Sequence, residues 1–195
     1  MINQQDYESF SDLMKATVRV LEIKAASDVS RFKKMTPTQL EEEVSKAIKE
    51  ACVDTPFHEK DVELVSGMKF PDIIVGRFFG VEVKSTNKDH WTSTGSSIVE
   101  TTRDKDVECI YMLFGKLGGT VPEFMCRPYE DVLSEIAVTH SPRYRIDMKL
   151  NAGETIFDKM GISYDTLRTS GNSIGSVRDY YKEKPGVKVI LCHGG

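Results

Sequence analysis

Apolar residues recur every three or four positions in two segments near the start of the chain, which is the spacing of a helix. The first set consists of Tyr7, Phe10, Met14, Val18 and Leu21. The second set consists of Leu40, Val44, Ala47, Ile48 and Ala51. Thr36 and Pro37 stand just before the second set, where threonine can cap a helix and proline suits the first turn. The pattern predicts two amphipathic helices.

The spacing then changes to the short apolar runs that are typical of β-strands. Residues 71–75 and 78–84 are two such runs, and Gly76-Arg77 between them suits a tight turn. We therefore expect a β-hairpin in this part of the chain.

The remaining pattern predicts how the hairpin is extended into a sheet. A Ser/Thr/Asn-rich stretch occupies residues 85–102, and strand-like runs follow at 108–117 and 123–127, separated by Gly118-Gly119 as a turn. Residues 129–138 have helical spacing. This order of elements predicts a mixed α/β (α+β) fold with a central β-sheet flanked by helices.

Length and composition fit one globular domain. The 195 residues, 39% of them hydrophobic and 29% charged, can bury a sizeable core. We expect a single domain over residues 1–195, with a core at 36–150 and a C-terminal extension of helix and strand at 151–195. No apolar run is long enough for a membrane span and the N-terminus lacks signal-peptide features, so we expect a cytoplasmic protein with no membrane partner.

Cysteine spacing and net charge exclude some classes of function. The four cysteines are far apart and have no metal-binding spacing, so we expect reduced thiols; they are Cys52, Cys109, Cys126 and Cys192. A net charge of −4 argues against a uniformly basic nucleic-acid binder. This net charge is compatible with a DNA enzyme, because acidic side chains can gather around a metal while a few cations line a cleft.

The hairpin register decides which side chains share a face. A turn centred on Arg77 pairs Ile73 with Val81 and Asp72 with Glu82. Side chains alternate along a strand, so Lys84 points the same way as Glu82. This register sends the apolar pair to the core and both carboxylates to the opposite face, whereas a shift by one residue would mix the two sets.

Two facing carboxylates predict a metal. Like charges opposite each other on a sheet, with Cβ atoms about 5 Å apart, are destabilising. A divalent cation removes this conflict, and Mg²⁺ takes one or two protein carboxylates with water and phosphate oxygens. Such an ion polarises a phosphodiester and lowers the pKa of bound water. Lys84 would position or deprotonate that water, or stabilise charge on the phosphate.

Pro71-Asp72, nine further residues and then Glu82-Val83-Lys84 resemble the motif of the PD-(D/E)xK nuclease superfamily, which includes many type II restriction endonucleases. The resemblance covers roughly residues 36–128 in the order of elements. It implies a restriction-endonuclease-like core, Mg²⁺ as the cofactor, Asp72 and Glu82 as metal ligands and Lys84 as the catalytic lysine. The alternative is a surface hairpin with solvated Glu82 and Lys84.

Members of such families often carry a further acidic residue on the preceding helix, after an apolar position. Leu40-Glu41 fits that pattern, which makes Glu41 a fourth candidate for the catalytic site. Glu42 and Glu43 leave the choice open.

Two polar segments are candidates for DNA contacts. The stretch after the catalytic strand has side chains suited to phosphates and base edges, and its candidates are Ser85, Asn87, Lys88, His90 and Trp91. The alternatives are a mobile surface loop and, for Trp91, a packing role. Residues 139–145 place Arg143 and Arg145 around Tyr144 in a proline-containing loop, which suits phosphate or guanine. Here the alternative is surface arginines paired with acidic residues.

A third segment, residues 153–168, resembles a helix-turn-helix. Phe157 replaces the small residue that the motif usually has, and residues 169–172 end the second helix early. We therefore favour an ordinary helical pair over a DNA-reading element.

The sequence supports three functions in decreasing order. The first is a type II restriction endonuclease, a homodimer that cuts double-stranded DNA at a short sequence. The second is a nuclease of repair or recombination, which recognises DNA structure. The third is a non-catalytic DNA-binding regulator using residues 153–168. No GxxxxGK[ST] motif occurs, so we expect no nucleotide cofactor.

Overall fold

The computed structural model describes residues 2–53, 55–65, 67, 69–137 and 141–183. The chain folds into two compact units. The first contains Met1–Trp91 and Thr102–Tyr129, and the second contains Thr92–Thr101 and the chain from Glu130 onward. The predicted boundary near residue 150 lies inside the second unit.

Six helices and eight strands form in the described part of the chain, which confirms the predicted mixed α+β fold. In chain order they are α1 (Gln4–Ser27), α2 (Val29–Lys33), α3 (Pro37–Ala51), β1 (Val62–Leu64), β2 (Ile73–Val75), β3 (Phe79–Thr86), β4 (Thr92–Ser97), β5 (Cys109–Lys116), β6 (Glu123–Pro128), β7 (Leu133–Ala137), β8 (Arg143–Asp147), α4 (Ile156–Met160), α5 (Tyr164–Thr169) and α6 (Ser173–Lys182). Short 3₁₀ turns occur at Glu59–Asp61 and Glu130–Val132.

The predicted early helices form with the caps that their sequence provides. The side chain of Thr36 accepts from the backbone N–H of Gln39, and the side chain of Gln39 accepts from the N–H of Thr36. Pro37 occupies the first turn, where no N–H is needed. These contacts satisfy N–H groups that the first turn of α3 would otherwise leave without partners.

The first unit is built on a five-stranded mixed sheet in the order β1-β2-β3-β5-β6. Only β3 and β5 run parallel, and the other pairs are antiparallel. Helices α1 and α3 pack on one face and bury an aromatic and aliphatic core. Phe10 of α1 stacks on Phe79 at 4.3 Å between ring centroids and meets Tyr111 edge-on at 5.3 Å. Burial of these side chains stabilises the unit, at about 25 cal/mol per Å² of apolar surface.

The second unit contains a three-stranded antiparallel sheet in the order β4-β8-β7. Tyr144 of β8 is fully buried and packs against Phe157 and Tyr164 of the two helices that follow. The Tyr164 hydroxyl donates to the carboxylate of Glu100 at 2.6 Å. The unit therefore has an aromatic core of its own.

The predicted helix at 129–138 is wrong, because Leu133–Ala137 forms strand β7. Leu133 and Ile136 are both buried, three positions apart, which resembles helical spacing. A shift in the β7–β8 register between Leu133 and Glu135 produces this spacing inside a strand. The bulge thus explains the error.

Two other segments are more regular than their composition indicates. Thr92–Ser97 of the Ser/Thr/Asn-rich stretch forms β4, and Arg143–Asp147 forms β8 in place of the predicted loop. Threonine and alternate burial suit such strands, but their pairing partners are distant in sequence. Residues 138–140, the start of that predicted loop, lie outside the described residues.

No helix in the described part of the chain is long and apolar enough to cross a membrane. Among the described residues, Cys52, Cys109 and Cys126 are not joined in disulfide bonds, and Cys192 lies outside the described residues.

A buried carboxylate joins the first three helices. Glu43 of α3 is 4% exposed and pairs with Arg31 of α2 and, at 3.2 Å, with Lys24 of α1. Burial acts to raise the pKa of Glu43, but hydrogen bonds and charge from Arg31 and Lys24 outweigh it and lower that pKa below its usual value. Because the folded state favours the charged form, this carboxylate stabilises the fold above the ordinary glutamate pKa.

We predict that Glu43→Gln lowers the free energy of unfolding by about 2 kcal/mol at neutral pH, the scale of hydrogen bonds to a charged group. The difference from wild type is largest above the unfolded glutamate pKa, near 4.5. It shrinks as the pH falls through the lower folded-state pKa. Urea unfolding at several pH values measures it.

The matched control is Glu42→Gln, which removes the neighbouring exposed carboxylate and should change stability by less than about 0.5 kcal/mol. Equal losses in the two variants would show that Glu43 does not join the helices in this way.

Candidate active site

The hairpin of β2 and β3 has the predicted register. Ile73 pairs with Val81 and Val75 pairs with Phe79, and all four side chains lie in the core beneath the helices. Gly76 makes the turn with a φ of +62°, a conformation that favours glycine. Continuing this pairing by one residue sets Asp72 opposite Glu82, on the face away from the core.

A close approach fixes the start of the hairpin. Gly80 of β3 lies directly against the ring of Pro71, and a Cβ at residue 80 would collide with that ring. The glycine therefore allows Pro71 to pack onto the strand, which holds the next residue, Asp72, beside β3.

Asp72 is attached to β3 by a hydrogen bond. Its Oδ2 accepts from the backbone N–H of Val83 at 2.8 Å. Glu82, only 4% exposed, accepts at Oε1 from the ammonium of Lys84 at 2.6 Å. One oxygen of each carboxylate is thus fixed by protein, and the two carboxyl groups themselves approach within hydrogen-bonding range.

The electrostatics of Glu82 reflect this crowding. Burial raises the pKa of Glu82 to about 7; the charge of Lys84 opposes the rise, and the charge of Asp72 adds to it. Between the ordinary glutamate pKa of 4.5 and this value, the folded state holds a proton that the unfolded chain has released. The contribution of Glu82 to stability therefore falls as the pH rises through that window.

Lys84 is held in its charged form. Burial acts to lower the pKa of Lys84, but Glu82, followed by Asp72 and Glu41, raises it above its usual value. A lysine that keeps its proton is a hydrogen-bond donor and a positive charge. It is not an effective base near neutral pH.

Among the three adjacent glutamates, Glu41 is the one whose charge belongs to this group. Burial raises the pKa of Glu41, Asp72 raises it further and Lys84 opposes the shift. Glu43 is turned towards the other helices, and Glu42 is exposed. The structure therefore brings together Asp72, Glu82, Lys84 and Glu41, all within the first unit.

Asp72, which is half-buried, and Glu82, which is buried, form a donor set of hard oxygens, the type that Mg²⁺ prefers. Among the described residues, no group of three or more His, Cys, Asp and Glu side chains is placed to hold a metal ion. A cation bound here would take its side-chain ligands from Asp72 and Glu82 and fill its other positions with water or substrate oxygens. The donor chemistry fits, since a cation between the carboxylates would offset the repulsion of their negative charges.

The predicted DNA-contact residues after β3 differ in their exposure. Ser85 is half-buried on the strand, whereas Asn87, Lys88 and His90 are exposed on the turn that follows. Trp91 is 7% exposed, and its ring packs against Phe114 at 5.9 Å between centroids. The structure thus gives Trp91 the packing role that the sequence left as an alternative.

Lys116 of β5 is a residue whose part in this turn the sequence analysis missed. Its ammonium lies 2.6 Å from both Asp89 and Glu123, and 5.2 Å from the centroid of the Trp91 ring. The hydrogen bonds that Lys116 donates to the carboxylates of Asp89 and Glu123 raise its pKa. It ties the turn to the sheet, and a lysine within an otherwise apolar strand was the available signal.

Arg143 and Arg145 lie on the exposed face of β8, in the second unit, with Tyr144 between them turned inward. Cross-strand neighbours of Arg145 are Thr94 of β4 and Glu135 of β7. Among the described residues, no ion pair engages either arginine. The two guanidinium groups therefore stand on one open sheet face with their donors exposed.

The predicted helical pair at 153–168 is confirmed. Thr155 caps α4 through a capping box with Asp158, and Gly161 ends α4 in the left-handed conformation at φ +68°. Ser163 then caps α5, which ends at Thr169, as the sequence indicated. These caps explain two short helices without a DNA-reading role.

No protein-family model matches the chain, and a comparison with curated proteins finds no match.

The charges of Asp72 and Lys84 should move the titration of Glu82 in opposite directions. We predict that Asp72→Asn lowers the pKa of Glu82 from about 7, because it removes a negative neighbour, and that Lys84→Met raises it. Carbon-13 NMR of the glutamate carboxyl groups in metal-free protein measures both shifts.

Glu63→Gln, at an exposed position on β1, is the control and should leave the titration of Glu82 unchanged. A titration of Glu82 that does not respond to either Asp72→Asn or Lys84→Met would contradict the proposed grouping of charges.

Proposed function

We propose that this protein is a Mg²⁺-dependent endonuclease that hydrolyses phosphodiester bonds of double-stranded DNA, as a sequence-specific type II restriction endonuclease acting as a homodimer. The observation that carries the proposal is the carboxylate pair of half-buried Asp72 and buried Glu82, with Lys84 bonded to Glu82. The sequence motif and the hairpin geometry agree on the same three residues.

A structural role alone explains this group poorly. Two carboxylates in contact raise the free energy of the folded state unless a proton or a cation lies between them. Glu82 is buried where an aliphatic side chain would pack without that penalty. Perturbed carboxylates of this kind are characteristic of functional sites.

Mg²⁺ bound by Asp72 and Glu82 would supply a Lewis acid for the phosphodiester and a bound water of lowered pKa. The residues of the chain would orient this arrangement. The N–H of Val83 fixes Asp72, and Lys84 fixes Glu82. Glu41 would accept a hydrogen bond from water at the margin of the site.

The state of Lys84 distinguishes between the roles considered for it. Because its neighbours keep it protonated, it would donate a hydrogen bond and stabilise negative charge on the phosphate instead of removing a proton from water. The hydrogen bond to Glu82 holds the ammonium in place for this role.

Two alternative functions are compatible with the same structure. A structure-specific nuclease of repair or recombination would use the same catalytic group, and only its substrate would differ. A DNA-binding regulator would use surfaces such as Arg143 and Arg145 without cleavage. The close pair of carboxylates, one of them buried, favours catalysis over the regulator.

We predict that the protein with Mg²⁺ cuts a long natural DNA into discrete fragments and that EDTA prevents this. Asp72→Asn, Glu82→Gln and Lys84→Met should each lower the cleavage rate by at least about a hundredfold, because each removes a charge that acts on the reacting phosphate. Gel analysis of single-turnover cleavage gives the rates, and circular dichroism checks the fold.

Glu63→Gln and Lys60→Met, at exposed positions in the same unit, are controls for the change in charge and should cut at the wild-type rate. Normal cleavage by Asp72→Asn would refute the site. Cutting confined to branched DNA would favour the repair nuclease, and binding without cutting would favour the regulator.

The open face of β8 gives a second prediction. The double variant Arg143→Gln/Arg145→Gln should bind DNA more weakly and reduce the slope of log affinity against log salt by about 2, since each lost phosphate contact releases fewer counterions. Fluorescence anisotropy without Mg²⁺ measures the slope.

The control is Arg178→Gln/Lys182→Gln on α6, where both cations pair with Asp179. An equal change of slope in the two double variants would indicate an effect of net charge and would remove Arg143 and Arg145 from the interface.

A further inference from the structure

A groove between α2 and α3 carries positive charge that the fold itself does not use. Its cavity volume is about 350 Å³, which is within the size range of small-ligand sites. Three cations from the two helices and the turn after α2 line it; they are Arg31, Lys34 and Lys46.

The structural contacts in the groove account for one of these cations. Arg31 pairs with Glu43 through one terminal nitrogen, and Lys24 supplies Glu43 with a second positive partner. Within the described ranges, the ammonium groups of Lys34 and Lys46 form no hydrogen bond or ion pair. Both lysines are exposed. Their charges are therefore available to a ligand.

The simplest explanation is that these are solvated lysines on helical surfaces. Two features favour a binding site instead. The chain as a whole has a net charge of −4, whereas the three cations of the groove outnumber its two carboxylates, Glu42 and Glu43. A concave wall also concentrates their field and attracts anions more strongly than a flat surface does.

The rest of the lining limits the kind of anion. Met35 is 7% exposed and forms an apolar part of the wall. Gln39 and the exposed carboxylate of Glu42 can bond to hydroxyl or amino groups, and Glu43, which is paired with Arg31, completes the lining. Arginine and lysine together are the usual protein donors to phosphate.

We propose that this groove binds a phosphate monoester the size of a mononucleotide. The phosphate would lie against Arg31, Lys34 and Lys46, with the apolar part of the ligand on Met35 and its hydroxyl or amino groups towards Glu42. The ligand is either a free nucleotide or the phosphorylated end of a DNA strand, since both present the same chemistry.

The inference does not depend on the proposed nuclease activity. Glu42 and Glu41 are adjacent on α3, but a helix turns about 100° per residue, so their side chains leave it in different directions. Binding in the groove can be measured without Mg²⁺, under conditions in which no cleavage is expected. A negative result for groove binding would therefore not contradict the nuclease proposal, and the reverse also holds.

The test is an NMR titration that follows the backbone amides of the groove residues Arg31, Lys34, Met35 and Lys46. The probes are deoxyadenosine 5′-monophosphate, deoxyadenosine, and a short DNA duplex with and without 5′-phosphates. We expect the monophosphate or the phosphorylated duplex to shift these amides, and the nucleoside and the unphosphorylated duplex to leave them in place. A response to the monophosphate indicates a free nucleotide, and a response to the phosphorylated duplex alone indicates a DNA end.

Charge-matched variants show whether the groove is responsible. Lys34→Gln/Lys46→Gln should weaken binding by at least about tenfold, as expected for lost charged hydrogen bonds. Lys33→Gln/Lys49→Gln changes the same helices outside the groove and should weaken it by less than about twofold, within the scatter of exposed charges. Equal weakening by both pairs, equal binding of nucleoside and nucleotide, or no response to either phosphorylated probe would overturn the proposal.

Discussion

Strand β3 is covered on both of its faces, and this burial determines the environment of the candidate site. Val81 and Val83 point into the core beneath α1 and α3, while Glu82 points the other way and is buried as well. A carboxylate in that position cannot rely on water for its charge. The charge of Glu82 is stabilised by Lys84 and would be stabilised further by a proton or cation between Glu82 and Asp72.

The candidate site therefore contains an unfavourable interaction, the repulsion between two carboxylates, that the fold tolerates. Hydrogen bonds from Val83 and Lys84 hold the carboxylates in place without removing their repulsion. Such a conflict is common where a protein gives up stability for chemistry. The ion-paired Glu43, two residues from Glu41 on the same helix, is a contrast, because its cationic partners lower its pKa and stabilise the fold.

The sequence predicted those features that depend on neighbours along the chain. Helix α3 follows from its apolar spacing and its Thr36 cap, and the hairpin register follows from alternation about a short turn. The burial of Glu82 could not be predicted in this way, because it depends on residues that cover the second face of the sheet. Strand β7 was missed for a related reason: its bulge against β8 imitates helical spacing.

Strand β3 is the middle strand of the five; its residues 79–81 pair with β2, and the whole strand, Phe79–Thr86, pairs with β5. Elements of this kind open only when most of the domain unfolds, whereas edge strands and loops open locally. The pairing of Glu82 and Lys84 with β5 therefore holds these two residues in place relative to each other. Any adjustment of the site's backbone to a ligand is expected in the turn after β3, whose residues 87–90 are exposed.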